Sequence, residues 1–321
     1  MARHDDNQAA LGALLTPAEV RELCTLSPLI GLAHLALEWA AIIAVAAFAW
    51  SHMSPLVYVL AVVLIGARQH SLIVLMHEGA HYRLLPSRLW NDLLAEVFTA
   101  FPFFLFTMRD YRRNHLRHHR HLNTSEDPDW VRKQGDAWTF PKPRAALSWM
   151  LLKDIVGVGF AQFLMATLRL PKRPAGEGLF SAARWAFAAL VLGAVVGFGL
   201  VVPFLLLWVV PMMTWMQLAF RLRSISEHHG IIQAPSAYSH TRTILVSPLE
   251  RLLLGCKNVN YHLEHHLYPG VPFYRLEALH RRLMAEPAYR DGAAIRRGYW
   301  GVLRECCARP ESGGRAVQAE A

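Results

Sequence analysis

The sequence predicts an all-α integral membrane protein: four transmembrane helices in two hairpins, with a cytosolic helical cap that carries clustered histidines. Three observations predict it. The 321 residues are 54% hydrophobic and only 18% charged, below the roughly one quarter of charged residues usual in soluble domains. The deficit is concentrated, because no Asp, Glu, Lys or Arg occurs in residues 39–67 or 185–220. Apolar stretches of about 20 residues are the length that crosses a bilayer as helix. Finally, eleven of the 17 histidines fall in four tight groups. The combination counts against an ordinary cytosolic enzyme.

The elements follow in order. The N-terminus holds Arg3, Asp5 and Asp6 and lacks the basic-then-apolar order of a secretory signal. Thr16-Pro17-Ala18-Glu19 reads as a capping box with proline at the first helical position, starting a short amphipathic helix. Pro28 interrupts it, and residues 29–50 form the first span. After a break at Ser51-His52-Met53-Ser54-Pro55, residues 55–76 form the second. Arg68, Gln69 and His70 lie inside that run, and charge at such depth is costly unless it faces a protein interior. The second span therefore emerges into protein-covered surroundings near Ala67, and its helix is expected to continue past His81.

Residues 82–181 are mixed in composition. Their apolar patches, 93–106 and 147–170, contain Pro102 or Lys153 and Asp154 and suit surface-lying or re-entrant segments. The charge-free run of 36 residues from 185 to 220 is too long for one span of about 20. It suits two spans, 183–200 and 203–221, turning near Gly197, Gly199 and Pro203. The domain reading is a cytosolic segment 1–28, a membrane domain 29–308 and a disordered tail 309–321. The loops near His52 and Gly199 carry no Lys or Arg, whereas the opposite side receives Arg21, Arg83, Arg88, Arg109, Arg112, Arg113, Lys172, Arg173, Arg221 and Arg223. The positive-inside rule then places both termini and every histidine group in the cytoplasm.

The four cysteines form no CxxC pair, so metal chemistry here is imidazole chemistry. His77-Glu78-Gly79-Ala80-His81 sets two imidazoles four residues apart, on one helix face. His115-Leu116-Arg117-His118-His119 and His262-Leu263-Glu264-His265-His266 add the i, i+3, i+4 arrangement, which keeps three rings within about 100° of helix circumference. A single histidine pair has a bland explanation. Three such groups on one membrane face do not, since clustered imidazoles repel when protonated and build no cheap dry core. Eight histidines exceed the three or four ligands of one zinc, so two metals or two sites are needed. Imidazole suits Zn, Cu, Fe and Ni alike, and ligand type alone does not choose between them.

The order HxxxH, HxxHH, HxxHH at these intervals resembles the membrane fatty acid desaturase superfamily, over residues 68–283. Asn123 and Asp127-Pro128-Asp129 after the second box are similar to the family pattern, as is Tyr261-His262-Leu263-Glu264-His265-His266-Leu267-Tyr268-Pro269 with Pro272. The resemblance implies a di-iron centre held by His77, His81, His115, His118, His119, His262, His265 and His266. It implies a further ligand at His228, with His229 as the competing choice. Glu78, Asp127, Asp129 and Glu264 are the carboxylates placed to accept the other ring N–H of a metal-bound imidazole, with a plain turn as the ordinary explanation of Asp127-Pro128-Asp129. Asn260 lies close to the third box. His121 reads as a bystander, and His70 with Arg68 as residues that orient ligands or line a substrate tunnel, or simply as satisfied buried groups.

The resemblance further implies two Fe ions, O2 as co-substrate and removal of hydrogen from an unactivated C–H bond of an acyl lipid. The chain shows no haem, flavin or iron–sulfur motif, so no bound organic cofactor is expected and electrons would come from a separate ferredoxin or cytochrome-type donor. The run Arg109, Arg112, Arg113, Arg117 and Arg120 suits positive-inside topology first and docking of an acidic donor or anionic head group second; no nucleic-acid partner is expected. The location is read as a bacterial inner membrane. Within the superfamily, a hydroxylase or ketolase acting on a lipid, a carotenoid or a small secondary-metabolite precursor is the alternative. His77-Glu78-Gly79-Ala80-His81 also fits the HExxH motif of a zinc protease, but that leaves two HxxHH groups unexplained. A metal transporter would hold its ligands near the bilayer midplane, whereas these boxes lie past the span ends.

Overall fold

A computed structural model describes residues 14–168, 178–229 and 238–307. The tail 309–321, residues 1–13 of the segment 1–28, Lys172 and Arg173 lie outside the described residues. The described chain is predominantly helical, with a single pair of three-residue strands.

Helix α1 (Pro17–Leu23) opens on the capping box, in which Thr16 accepts from the Glu19 amide and the Glu19 carboxylate takes the Thr16 amide. Helix α2 (Pro28–Ser51) and helix α3 (Pro55–Ala80) each begin with proline, where its missing N–H is already one of the unpaired first-turn donors. They pack against each other across a three-residue connection. Both are long and apolar enough to cross a membrane. The two ends of α3 differ. Leu56, Val59 and Leu60 are exposed, whereas every residue from Gln69 to Ala80 is buried. Helix α3 stops at Ala80 rather than continuing past His81, because His81 caps it and Tyr82 turns into the left-handed region at φ 58°.

Helix α4 (Arg88–Ala95) runs through a π turn (Glu96–Ala100) and a 3-10 turn (Phe101–Phe103), then bends by 100° into helix α5 (Met108–His121). Thr107 caps α5 by accepting from the Asp110 amide. Glu96 adds a second cap, accepting from the amides of Met108 and Arg109 at 2.8 and 3.2 Å, where α5 leaves its first N–H groups unpaired. A short α6 (Pro128–Arg132) follows, then α7 (Arg144–Ile155) and α8 (Val158–Leu168), two short helices where the sequence suggested surface-lying segments.

Helix α9 (Gly178–Gly197) and helix α10 (Val201–His228) are the other two candidates to cross a membrane. They turn at Gly199, whose φ of 68° favours glycine. Helix α10 contains a π turn at Leu205–Val209, followed by the short helical segment α11 (Val210–Met213). Pro211 lacks the N–H that Leu207 O would accept, so the ladder widens there. Side chains of α3 take carbonyls in this stretch: Tyr58 donates to Leu206 O and Gln69 to Trp208 O, the latter at 2.8 Å. Gly66 of α3 lets α10 approach closely, since a Cβ there would sit 2.7 Å from Trp215 Cβ.

The remaining chain closes over the buried end of α3. Strand β1 (Thr243–Leu245) pairs in parallel with β2 (Ile295–Arg297). Between them lie α12 (Pro248–Leu253), α13 (His262–Leu267), α14 (Leu276–Leu283) and α15 (Pro287–Gly292), and α16 (Gly298–Glu305) follows. The main core joins Ile65, Leu72, Leu75 and Met76 of α3 to Phe101, Met108, Phe273 and Leu279.

Candidate metal centre

Four segments bring their histidines together. The end of α3 supplies His77 and His81, α5 supplies His115, His118 and His119, the end of α10 supplies His228, and α13 supplies His262, His265 and His266. The nine rings form two groups: His77, His81, His115, His119 and His265; and His118, His228, His262 and His266. Within each group one candidate ligand atom per residue lies within 4.8 Å of the others. In the first group Nε2 atoms approach at 2.8 Å (His81 to His115), 3.0 Å (His115 to His119) and 3.1 Å (His119 to His265). In the second, His228 Nε2 and His266 Nε2 lie 2.9 and 3.0 Å from His262 Nε2.

This arrangement suits a metal ion. A neutral imidazole carries one N–H and one lone pair, so Nε2 atoms crowded in a buried space cannot all satisfy one another by hydrogen bonding. His77 Nε2 has no partner among the described residues. Burial and neighbouring positive groups hold His115, His119, His262, His265 and His266 well below the usual imidazole range, and His81 near 3. Neutral imidazole is the ligating form.

Carboxylates set the ring orientations. His118 donates from Nδ1 to Asp127 at 2.9 Å, which leaves its Nε2 lone pair for the second group. Asp127 also accepts from the amides of Asn123 and Asp129 and caps α6. Burial alone would raise the Asp127 pKa, but the hydrogen bonds from His118 and the two amides bring it below the usual range. Glu78 places one oxygen 3.3 Å from His77 Nδ1 and accepts the Phe273 amide on the other.

The other predicted residues take different places. Glu264 turns away from both groups and accepts from Thr243, His280 and Tyr289, a buried cluster that fixes α13 against β1 and α14. Asp129 pairs with Lys133, not with a histidine. Asn260 donates to Ile244 O, fastening the chain before α13 to β1. His229 leaves the groups and packs on Trp138 with ring centroids 4.9 Å apart. His121 faces Glu126 near the surface. His70 rests on Cys256 and Phe220, and Arg68 pairs with Glu38.

Arg112, which the sequence reading uses for topology and donor docking, and Glu227, which it does not weigh, belong to the centre's framework. Arg112 donates to Gly79 O at 2.8 Å and Ala80 O at 3.0 Å and pairs with Asp92 and Tyr82. It thereby satisfies the last carbonyls of α3, where cations are favoured, and sets the second box in register with the first. Glu227 pairs with Arg223 at 2.6 Å and lies 3.6 Å from His262 Nε2. The i, i+4 spacing of Arg223 and Glu227 was a visible signal for this pair; its position beside a histidine group was not.

A family model for fatty acid desaturases matches residues 53–298, and the chain belongs to that family of membrane oxidoreductases. It is 31% identical over 303 residues to a dihydrorhizobitoxine desaturase of Bradyrhizobium elkanii, covering 88% of this chain and 83% of that one. It is also 25% identical over 226 residues to the sphingolipid delta(4)-desaturase DES1 of Xenopus tropicalis, covering 68% of this chain and 62% of that one.

Proposed function

We propose that this chain is a di-iron, O2-dependent desaturase that introduces a double bond into an acyl lipid. The observation that carries the reading is the division of nine buried or half-buried histidines into two adjacent groups. Five and four ring nitrogens are enough for two ions, whereas one zinc uses three or four protein ligands. Bound iron would supply O2 activation, with O2 as the oxidant, reduced to water by the two substrate hydrogens and two electrons from the external donor.

The ligands proposed are His77, His81, His115, His119 and His265 for one ion and His118, His228, His262 and His266 for the other. Asp127 holds the proton on His118 Nδ1 and Glu78 does the same for His77, so each ring presents Nε2. Asp129, Asn260 and Glu264 support the backbone that carries these ligands. The buried end of α3 and the cap above it exclude water from the centre. The membrane domain is proposed as residues 29–308, in a bacterial inner membrane with termini and histidines cytoplasmic. Arg113, Arg117 and Arg120 are exposed on α5 and offer an acidic ferredoxin or cytochrome-type donor a landing surface beside the ligands.

A small secondary-metabolite precursor is the second reading, favoured by the similarity to a protein named for dihydrorhizobitoxine. The test is mass spectrometry of lipids and soluble metabolites from cells expressing the chain or its His118→Ala variant, together with a ferredoxin and its reductase. A double bond formed only by the intact chain is expected, in a lipid on the first reading and a soluble metabolite on the second. A hydroxyl or keto product instead would overturn desaturation in favour of a hydroxylase or ketolase.

A further inference from the structure

A cleft of about 450 Å³ opens between α2, the middle of α3 and the loop before α13. That volume is in the range of small-molecule sites. Its walls include Arg68, Arg251, Lys257, His34, Phe273 and Tyr274. The charges in it do not balance. Glu38 is buried and pairs with Lys257 Nζ at 2.5 Å and with Arg68 at 3.4 Å, so one carboxylate faces two cations. Arg251 at the rim has its own partner in Glu277. Lys257 is mostly buried and also reaches His34 Nδ1 at 2.8 Å; Glu38 balances only one of the two cations, and holding the remaining charge out of water is costly.

The backbone adds an independent sign. Lys257 and its neighbour Asn258 both adopt left-handed conformations, at φ 53° and 54°. Non-glycine residues hold that region at a cost and concentrate there at ligand sites. Asn258 is tied to Phe273 O, and the Phe273 amide is held by Glu78, which borders His77. The cleft is thus linked by one wall residue to the first histidine group.

We propose that this cleft is the subsite for a carboxylate on the substrate, with Lys257 and Arg68 as the cations that receive it and Glu38 as the group that positions them. The inference rests on the reading of the chain as an oxidoreductase of carbon chains and narrows it to substrates with a free carboxylate, which an esterified acyl lipid does not carry. The carboxylate can come from a fatty acid or from an amino acid, and the two differ in whether an ammonium accompanies it.

The test is saturation-transfer NMR on the purified full chain in deuterated detergent micelles, with hexanoate, L-norleucine and neutral hexanamide as probes and empty micelles as the blank. The account expects carboxylate binding that weakens tenfold or more in Lys257→Met and Arg68→Met and is retained in Lys257→Arg, with hexanamide unaffected throughout. Glu38→Gln is expected to tighten carboxylate binding severalfold, an effect opposite in sign to that of a misfolded variant. Tighter binding of hexanoate assigns a fatty acid, and tighter binding of norleucine an amino acid. Carboxylate binding no stronger than that of hexanamide, or unchanged in Lys257→Met, would overturn the proposal. Because binding is read without turnover, that failure is distinguishable from a failure of the desaturase reading, which the product analysis tests.

Discussion

His119 and His266 stack with ring centroids 4.2 Å apart, although they belong to different histidine groups. Each HxxHH box divides in the same way. His115 and His119 face the first group and His118 the second, while His262 and His266 face the second and His265 the first. At about 100° per residue, positions i and i+4 differ by about 40° around the helix, whereas i+3 lies about 60° to the other side of i. The i+3 ring therefore points to the neighbouring centre, and the two boxes interlock.

This division predicts metal stoichiometry. His81→Ala removes a ring from the first group only, and we expect bound iron to fall from two to about one per chain. His121→Ala, altering a residue outside both groups, is expected to keep two. Elemental analysis of the purified variants checks both. Loss of all metal from His81→Ala would show that the groups do not fill independently.

Asp127 accepts the Nδ1 hydrogen of His118, and loss of such a partner typically costs 10–100-fold in metal affinity or activity. Asp127→Asn is expected to show a loss of about that size, read by metal competition with a chelator. Asp129→Asn, whose carboxylate meets Lys133 instead, is expected to lose far less. Equal losses would assign the effect to the turn and not to the ring.

Which of this was legible follows from periodicity. Spacing within one helix placed His77 with His81 and the three rings of each HxxHH on one side, because those relations are local. Periodicity separates the i+3 ring from i and i+4, but it was silent on which rings of the two boxes meet, because that depends on how α5 and α13 pack. Glu264 was expected to accept from a metal-binding imidazole, from its place in the box. Helix α13 has only six residues, and its buried face carries that carboxylate to Thr243, His280 and Tyr289. The two long apolar helices on either side of Gly199 followed from length and charge alone, whereas the end of α3 at Ala80 depends on contacts from α5.

Those contacts centre on Arg112. Its hydrogen bonds to Gly79 O, Ala80 O and Asp92 include charge-assisted ones, each worth about 1.5–3 kcal/mol. Arg112→Ala is expected to lower stability by about that amount or more and to loosen the second box relative to the first. Arg112→Lys keeps the charge without the planar fork and is expected to recover only part of it. Thermal unfolding at fixed metal load reads the effect; an unchanged midpoint for Arg112→Ala would contradict it.

Gly79 carries a related prediction. A Cβ on Gly79 would lie 2.5 Å from Ala95 Cβ, so α4 packs directly on the first box. Forcing a methyl group into such a contact costs about 1–3 kcal/mol. Gly79→Ala is expected to destabilise the chain by that amount and to reduce iron retention, measured by unfolding and metal analysis on the same sample.

The central claim is that the two histidine groups hold two irons. Mössbauer spectroscopy with elemental analysis of the chain produced with ⁵⁷Fe and purified without oxygen tests it most directly. The account predicts two irons per chain, with His81→Ala and His266→Ala each leaving about one. A single zinc per chain, or iron content indifferent to both substitutions, would contradict it.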